Sequence, residues 1–438
     1  YGIFGIGHRI VYFCINDLKT PGKMYRLLFL IAILFHACCV FAQVRDSVSH
    51  IGCVVDFSPG RIVKTDEWVK MWLKDNEMFS VGAEMRYSTL PSDSDAYADA
   101  YNYPEFSCGL KFGDYNSVVM HKDASPLWGK AVPVDYNSRM GCIYTLYGSF
   151  IRPLYRTPHW TFDYSLSSGV GYCTRPYNNI DNVDNEIIGS RFLIFFGAGL
   201  HATYHIMPHF GLRAGVELMH HSNGALARPN KGANVLATSF ALVYYPYDYT
   251  IRRINLPDRI RYFKPYWYMD LGLGIGGKTL FEEWNISQYQ TNPGEADYRK
   301  ADFHIYTTCS FQADFMRRYS RRWASGLGVD LFYGQYANRV KTLEKRDGID
   351  CKHSPWSVGV SGKHEVFYHN LSLAVSLGVY LYREMGSSAK DVERTYYEHL
   401  GFFYHFPALG GLTVGGNVKA HKTKADYTEF VVRFPIRI

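Results

Sequence analysis

The chain has 438 residues, 16% of them aromatic, with 36 Tyr and 39 Gly, and its mean hydropathy is −0.18. A bundle of membrane helices needs several apolar stretches of about 20 residues, and this composition excludes one. The formal net charge of +7 is too modest to argue for nucleic acid, although it suits contact with anionic lipid headgroups.

In chain order, the first signal is Lys23-Met24-Tyr25-Arg26 followed by the apolar run Leu27 to Phe35, then Val40-Phe41-Ala42 before Gln43. A basic segment, a short apolar core and small residues at the cleavage position predict a secretory signal and not a membrane span. Residues before Met24 read as upstream sequence. Cys38 and Cys39 raise a lipoprotein reading, but Phe35-His36-Ala37 fits a lipobox poorly. Residues 1–42 are therefore expected to be upstream sequence plus signal. Their loss removes four cations and one anion and leaves a mature charge of about +4. Of nine Cys, Cys53, Cys108, Cys142, Cys173, Cys309 and Cys351 remain. Their spacing suggests neither a metal site nor an obligatory disulfide framework.

From residue 50 onward one pattern repeats: about ten residues alternating apolar with small or polar, then a turn or a polar loop. Asp66 to Asp75 reads as a short helix or loop insert. Trp267, Met269, Leu271, Leu273 and Ile275 alternate with Tyr268, Asp270, Gly272, Gly274 and Gly276, and the aliphatic parity of 371–382 alternates with small or hydroxylated residues. Leu412, Val414 and Val418 stand likewise against Thr413, Asn417 and Lys419, and the chain closes on the alternating run Phe430 to Ile438. A packed soluble sandwich would alternate too. The secretion signal, the Tyr enrichment and the alternating end favour an all-β, transmembrane, antiparallel outer-membrane β-barrel. Tyr and Trp near strand ends then read as interfacial girdles.

About eight candidate strands precede Tyr245 and about eight follow from Tyr266, joined by a basic connection through Arg252 to Pro257. With no visible repeat between the halves, the expectation is a single barrel domain over 43–438 with about 14–16 strands in one closed sheet. Residues 43–250 form one half of it, and 260–438 supply additional strands. Lys419 to Lys424 reads as a loop gripping lipid phosphates or as a solvated hairpin tip, the latter favoured.

The chemistry-bearing stretch is His220-His221-Ser222-Asn223-Gly224. Phe210, Leu212, Ala214, Val216 and Leu218 place His220 and Ser222 on the apolar parity, which faces lipid in a barrel, whereas Glu217 and His221 face the interior. A His two residues before a Ser on one strand face meets the minimum requirement for a base-activated hydroxyl. On the count above this strand is the seventh and runs outward from a periplasmic start. The next strand begins at Asn234, on the parity of Leu236, Phe240, Leu242 and Tyr244, and returns an amide to the same side near His220. An amide can hold an imidazole in its productive tautomer.

His220-x-Ser222-Asn223 followed by Pro229-Asn230-x-Gly232-x-Asn234 resembles the signature of the PagL-type lipid A 3-O-deacylases. The chain as a whole is similar to the longer acyloxyacyl hydrolase relatives of Bacteroidetes, down to the closing segments Asn417 to His421 and Ala425 to Glu429. The resemblance implies an outer-membrane serine esterase that removes an ester-linked acyl chain from lipid A of lipopolysaccharide. His220 would be the base, Ser222 the nucleophile and Asn234 the third member. Asn223, with backbone amides near Gly224, would stabilise the oxyanion, and Asn230 would help position the substrate. The short enzymes carry a glutamate where Asn234 stands, and an amide orients a histidine without stabilising the imidazolium.

The location suits the chemistry independently. Moving one acyl chain of ~14 methylenes into water costs on the order of 10 kcal/mol at ~0.8 per methylene, and a lipid-facing site avoids that cost. No cofactor or metal is required. The expected partners are lipopolysaccharide and outer-membrane lipids, not nucleic acid, and the sequence is silent on oligomeric state. Two rivals stand beside the esterase: a non-enzymatic barrel, either a narrow porin or a structural or assembly partner, and a phospholipid acyl hydrolase. Arg228 and Lys231, in the loop after the motif, slightly favour a phosphorylated glycolipid.

Overall fold

A computed structural model describes residues 50–245, 257 and 261–438, apart from 388, 390–394 and 423. The signal segment and most of the connection at 252–257 lie outside the described residues. Sixteen long strands form the walls. The first eight are β1 (Ile51–Ile62), β2 (Glu77–Ser88), β3 (Glu105–Asp114), β4 (Cys142–Arg156), β5 (Trp160–Cys173), β6 (Phe192–Met207), β7 (Phe210–Ser222) and β8 (Ala233–Tyr244). The second eight are β9 (Tyr266–Lys278), β10 (Tyr306–Arg318), β11 (Trp323–Gly334), β12 (His353–Tyr368), β13 (Leu371–Met385), β14 (Tyr396–Phe406), β15 (Leu412–His421) and β16 (Lys424–Arg437).

These strands close as two antiparallel barrels of eight strands each, not as one sheet. In the first, β1 pairs with β8, Cys53 opposite Tyr244. In the second, β9 pairs with β16, Tyr268 opposite Arg437. The expectation of a single barrel domain is therefore corrected, while the all-β class and the strand total stand. Alternation along a strand is the same in either architecture, so only closure distinguishes them.

The outward parity carries the large apolar residues. Leu212, Val216, Leu218, Leu273, Ile275, Leu377 and Leu381 are exposed, as a wall facing hydrocarbon requires. Trp160, Tyr204, Trp267 and Trp323 are exposed aromatics at one end of the wall, the position of an interfacial girdle. Turns at that end, such as 157–159, 208–209, 319–322 and 369–370, are short, although 89–104 is an exception. The opposite end carries the longer loops 63–76, 115–141, 174–191, 279–305 and 335–352. Short turns are periplasmic and long loops extracellular in such barrels, so β7 runs outward. No helix among the described residues is long and apolar enough to cross a membrane, and the walls cross it as strands. The protein is an outer-membrane barrel protein.

Both interiors are filled. In the first barrel the Lys111 ammonium lies 3.1 Å from Asp56 and from Glu217, and Arg86 meets Glu84 and Glu105 at 3.0 and 3.3 Å. In the second, Lys363 meets Asp314 and Asp330 at 2.7 and 3.0 Å, and Arg433 meets Glu365 at 2.6 Å. Room for such pairs comes from inward glycines: a Cβ on Gly82 would stand 2.3 Å from an Asp56 oxygen. A cavity of about 30 Å³ remains beside Lys111 and another beside Lys363, room for a water or two.

Lys419 to Lys424 is the end of a hairpin, as favoured, with Lys422 and Lys424 exposed, but not all of it is solvated. Lys419 and His421 belong to β15, and Lys419 is fully buried with its ammonium 2.6 Å from Asp426. His421 is paired with Lys424, so both strands run almost to the end of the hairpin. The insert at 66–75 contains helix α1 (Glu67–Trp72), capped by Asp66, whose side chain accepts from the Val69 amide at 2.9 Å. Among the described residues, further helices include α2 (Ala96–Ala100), α3 (Phe281–Tyr289) and α4 (Ala337–Arg346).

The barrels are stitched together at both ends. On the extracellular side the Tyr177 hydroxyl donates to the Arg299 carbonyl at 2.9 Å, Arg299 donates to the Val132 carbonyl at 2.6 Å, and Tyr289 of α3 donates to Glu186. On the periplasmic side Tyr101 donates to the Phe367 carbonyl at 2.8 Å, and Arg322 donates to the Ala100 carbonyl at 2.9 Å.

Candidate active site

The outward parity of β7 ends in His220 and Ser222, and the first residue of that parity on β8 is Asn234. His220 and Asn234 are direct cross-strand partners, close enough for side-chain contact. The His220 Nδ1 lies 2.7 Å from Asn234 Oδ1 and its Nε2 lies 2.9 Å from Ser222 Oγ. A 3.5 Å contact from Asn234 Nδ2 to the Gly232 carbonyl orients the amide with its oxygen toward the ring. Nδ1 is then the protonated nitrogen, and Nε2 is left to accept from the serine hydroxyl. Gly232 makes the ring's position possible, since at φ +77° it lies in the left-handed region and a Cβ there would stand 2.8 Å from His220 Cε1.

Past Ser222 the chain turns sharply, with Gly224 at φ +62° and Ala225 at φ +69°. The Asn223 amide donates to Asn230 Oδ1 at 3.0 Å, and Asn223 Oδ1 accepts from the Ala227 amide at 3.3 Å. Asn230 thus holds the turn from within the loop and uses up the Asn223 backbone donor. The Asn223 side-chain Nδ2 is buried with no hydrogen-bond partner, which leaves a donor beside the serine.

Other residues of the motif region have different surroundings. His221 points inward, 2.9 Å from Thr145 Oγ1, with its ring against Phe195. Glu217 points inward to Lys111 and His201, so it cannot serve His220. Among the described residues no carboxylate pairs with His220. Arg228 does not point into solvent for a phosphate, because its guanidinium donates to the Thr279 carbonyl at 2.8 and 3.3 Å. Lys231 lies 3.4 Å from Asp66.

Sequence reasoning missed Thr279 and reached Thr428 only within the closing segment 425–429, with no role in the site. Thr428 Oγ1 donates to the Gly224 carbonyl at 3.1 Å, while Thr279 donates to the Ala225 carbonyl from its amide at 2.9 Å and its hydroxyl at 2.8 Å. Both threonines belong to the second barrel. Nothing local in their sequence marks their part in the site.

Comparison with known families divides the chain along the same line. Residues 97–243 match the model described as lipid A 3-O-deacylase (PagL), and residues 267–437 match that of the acyloxyacyl hydrolase C-terminal domain. The chain belongs to the PagL-type family. The second match spans β9 to β16 and the first spans most of the barrel that carries the motif. No curated protein matches. Among solved structures the chain is similar to Neisserial surface protein A, with 12% identity over 46% of this chain and 99% of that one and a TM-score of 0.27. It is also similar to a variant of Rh. blastica porin, with 9% identity over 88% and 99% and a TM-score of 0.16. Pseudomonas aeruginosa OccK5 (OpdH) has 9% identity over 89% and 98% and a TM-score of 0.20. Likenesses this slight carry no argument, and the fold rests on the strand pairing itself.

Proposed function

We propose that this PagL-type protein is a serine esterase that removes an ester-linked acyl chain from lipid A, with Ser222 as nucleophile and His220 as general base. The observation that carries the reading is the continuous Ser222–His220–Asn234 hydrogen-bond chain on the outward face of β7, at the long-loop end. That end lies at the outer leaflet, where lipopolysaccharide resides, and the sugar-to-acyl ester sits at interface depth.

In the first step Ser222 Oγ attacks the ester carbonyl as its proton passes to His220 Nε2. The tetrahedral oxyanion would be met by Asn223 Nδ2 and the Gly224 amide. Collapse expels the sugar alkoxide, which takes the proton from the imidazolium and leaves an acyl-serine. Water, deprotonated by the same nitrogen, then releases the fatty acid. Asn234 would keep the proton on Nδ1 throughout. Buried ion pairs cross both lumens, which weighs against a narrow porin.

The test is mass spectrometry of lipid A from cells making wild type or Ser222→Ala at equal outer-membrane abundance. Loss of one acyl chain in wild type alone is the expected result, and the fragment names the bond. Unchanged lipid A in both, with lysophospholipid formed only by wild type, would transfer the mechanism to glycerophospholipid. No change in any lipid would reject the esterase.

A further inference from the structure

We infer that the second barrel is part of the active site: Thr428 and Thr279 are positioning residues that fix the turn following the nucleophile. The inference rests on the esterase reading above and assigns a role to a half of the chain that the chemistry otherwise leaves idle. Residues 224 and 225 both have positive φ, and only the first is glycine. Such a turn persists when its surroundings over-determine it. The carbonyls of these two residues take three hydrogen bonds, all from the second barrel: one from Thr428 Oγ1 and two from Thr279. Arg228 returns a fourth link by donating to the Thr279 carbonyl.

Steric fit points the same way. A Cβ on Gly224 would meet Thr428 Oγ1 at 2.1 Å, so the second barrel's wall lies directly against the turn. A carbonyl that accepts from Thr428 or Thr279 fixes its own peptide plane, 224–225 or 225–226, and so holds the turn from which the Gly224 amide and the Asn223 side chain extend. The first barrel supplies nucleophile and base, and the second braces the turn that carries the donors beside them.

The experiment uses the full-length protein in detergent, with a lipophilic fluorophosphonate that phosphonylates an activated serine by displacing fluoride. Heat-dependent gel migration reports the folded barrels. Thr428→Val keeps the shape and deletes the donor, and Thr428→Ser restores it. The expected result is that folded Thr428→Val labels about ten-fold more slowly than wild type and that Thr428→Ser labels at the wild-type rate, an outcome a role in packing alone would not produce. Thr279→Val, which deletes only the second hydroxyl, repeats the test if the first variant does not fold. Labelling of a folded valine variant at the wild-type rate, with Ser222→Ala unlabelled, would overturn this inference and leave the esterase intact. Absence of labelling at Ser222 in wild type would overturn both.

Discussion

At the scale of single residues, the third member of the hydrogen-bond chain is the informative one. Asn234 sets the tautomer of His220 but brings no charge to the imidazolium that forms when Ser222 is deprotonated. Aspartate is isosteric and keeps the 2.7 Å contact. Asn234→Asp should therefore raise the deacylation rate at least about ten-fold, measured as lipid A turnover in mixed micelles. An unchanged rate would mean that imidazolium stabilisation is not limiting. Gly232 makes a different prediction. Gly232→Ala places a methyl against His220 Cε1 and forces a left-handed backbone on alanine, at about 1–2 kcal/mol. The barrel, held by its ladders, should still fold while lipid A remains acylated; retained activity would show that the ring has room to shift. The two-residue alternation made His220, Ser222 and Asn234 readable as one outward cluster, because parity is fixed once a strand is recognised. The role of Thr428 was not readable, since the pairing of a carbonyl with a hydroxyl 204 positions away has no periodicity behind it.

At the scale of elements, the extracellular loops converge on one buried carboxylate. Glu186 accepts from Lys122 at 2.8 Å, from Trp68 Nε1 at 2.9 Å and from the Tyr289 hydroxyl of α3. It thereby joins three loops of the first barrel to a helix of the second. Burial acts to raise its pKa, but the Lys122 ammonium and the two other donors outweigh that and hold it below the ordinary carboxylate value. A depressed folded pKa contributes stability above the unfolded value of about 4.3, and that contribution is lost as pH falls through the folded value. Acidification below about pH 4 should thus loosen the loop cluster and change the fluorescence of Trp68, which packs edge-on against Trp128 and Tyr289. In Glu186→Gln the acid transition should disappear. Persistence of the same transition in that variant would assign it to another group. Sequence patterning reached these loops only as spacing between strands, apart from the helix-or-insert reading at Asp66, because loop contacts follow chemistry and not a repeat.

At the scale of the whole molecule, two narrow barrels and one wide one share a strand count and differ in what the interior can hold. Eight strands enclose a lumen that side chains fill, and about sixteen enclose a channel. The inward glycines beside large side chains, Gly82 beside Asp56 and Lys111 and Gly378 beside Tyr397, answer to the narrow case, and strand alternation in the sequence could not separate the two. The functional corollary is electrical: in planar bilayers the purified protein should give no steady porin-like conductance, and sustained channels would contradict the filled lumens. A last consequence concerns timing. Thr428 lies on β16, and β16 joins β9 to seal the second ring. On the proposal made above, a chain still threading into the membrane would hold Ser222 beside His220 and yet lack the brace on its turn. The hydrolase would fall silent whenever assembly stalls, and the lipids around a half-inserted molecule would keep their acyl chains until the final strand zips home.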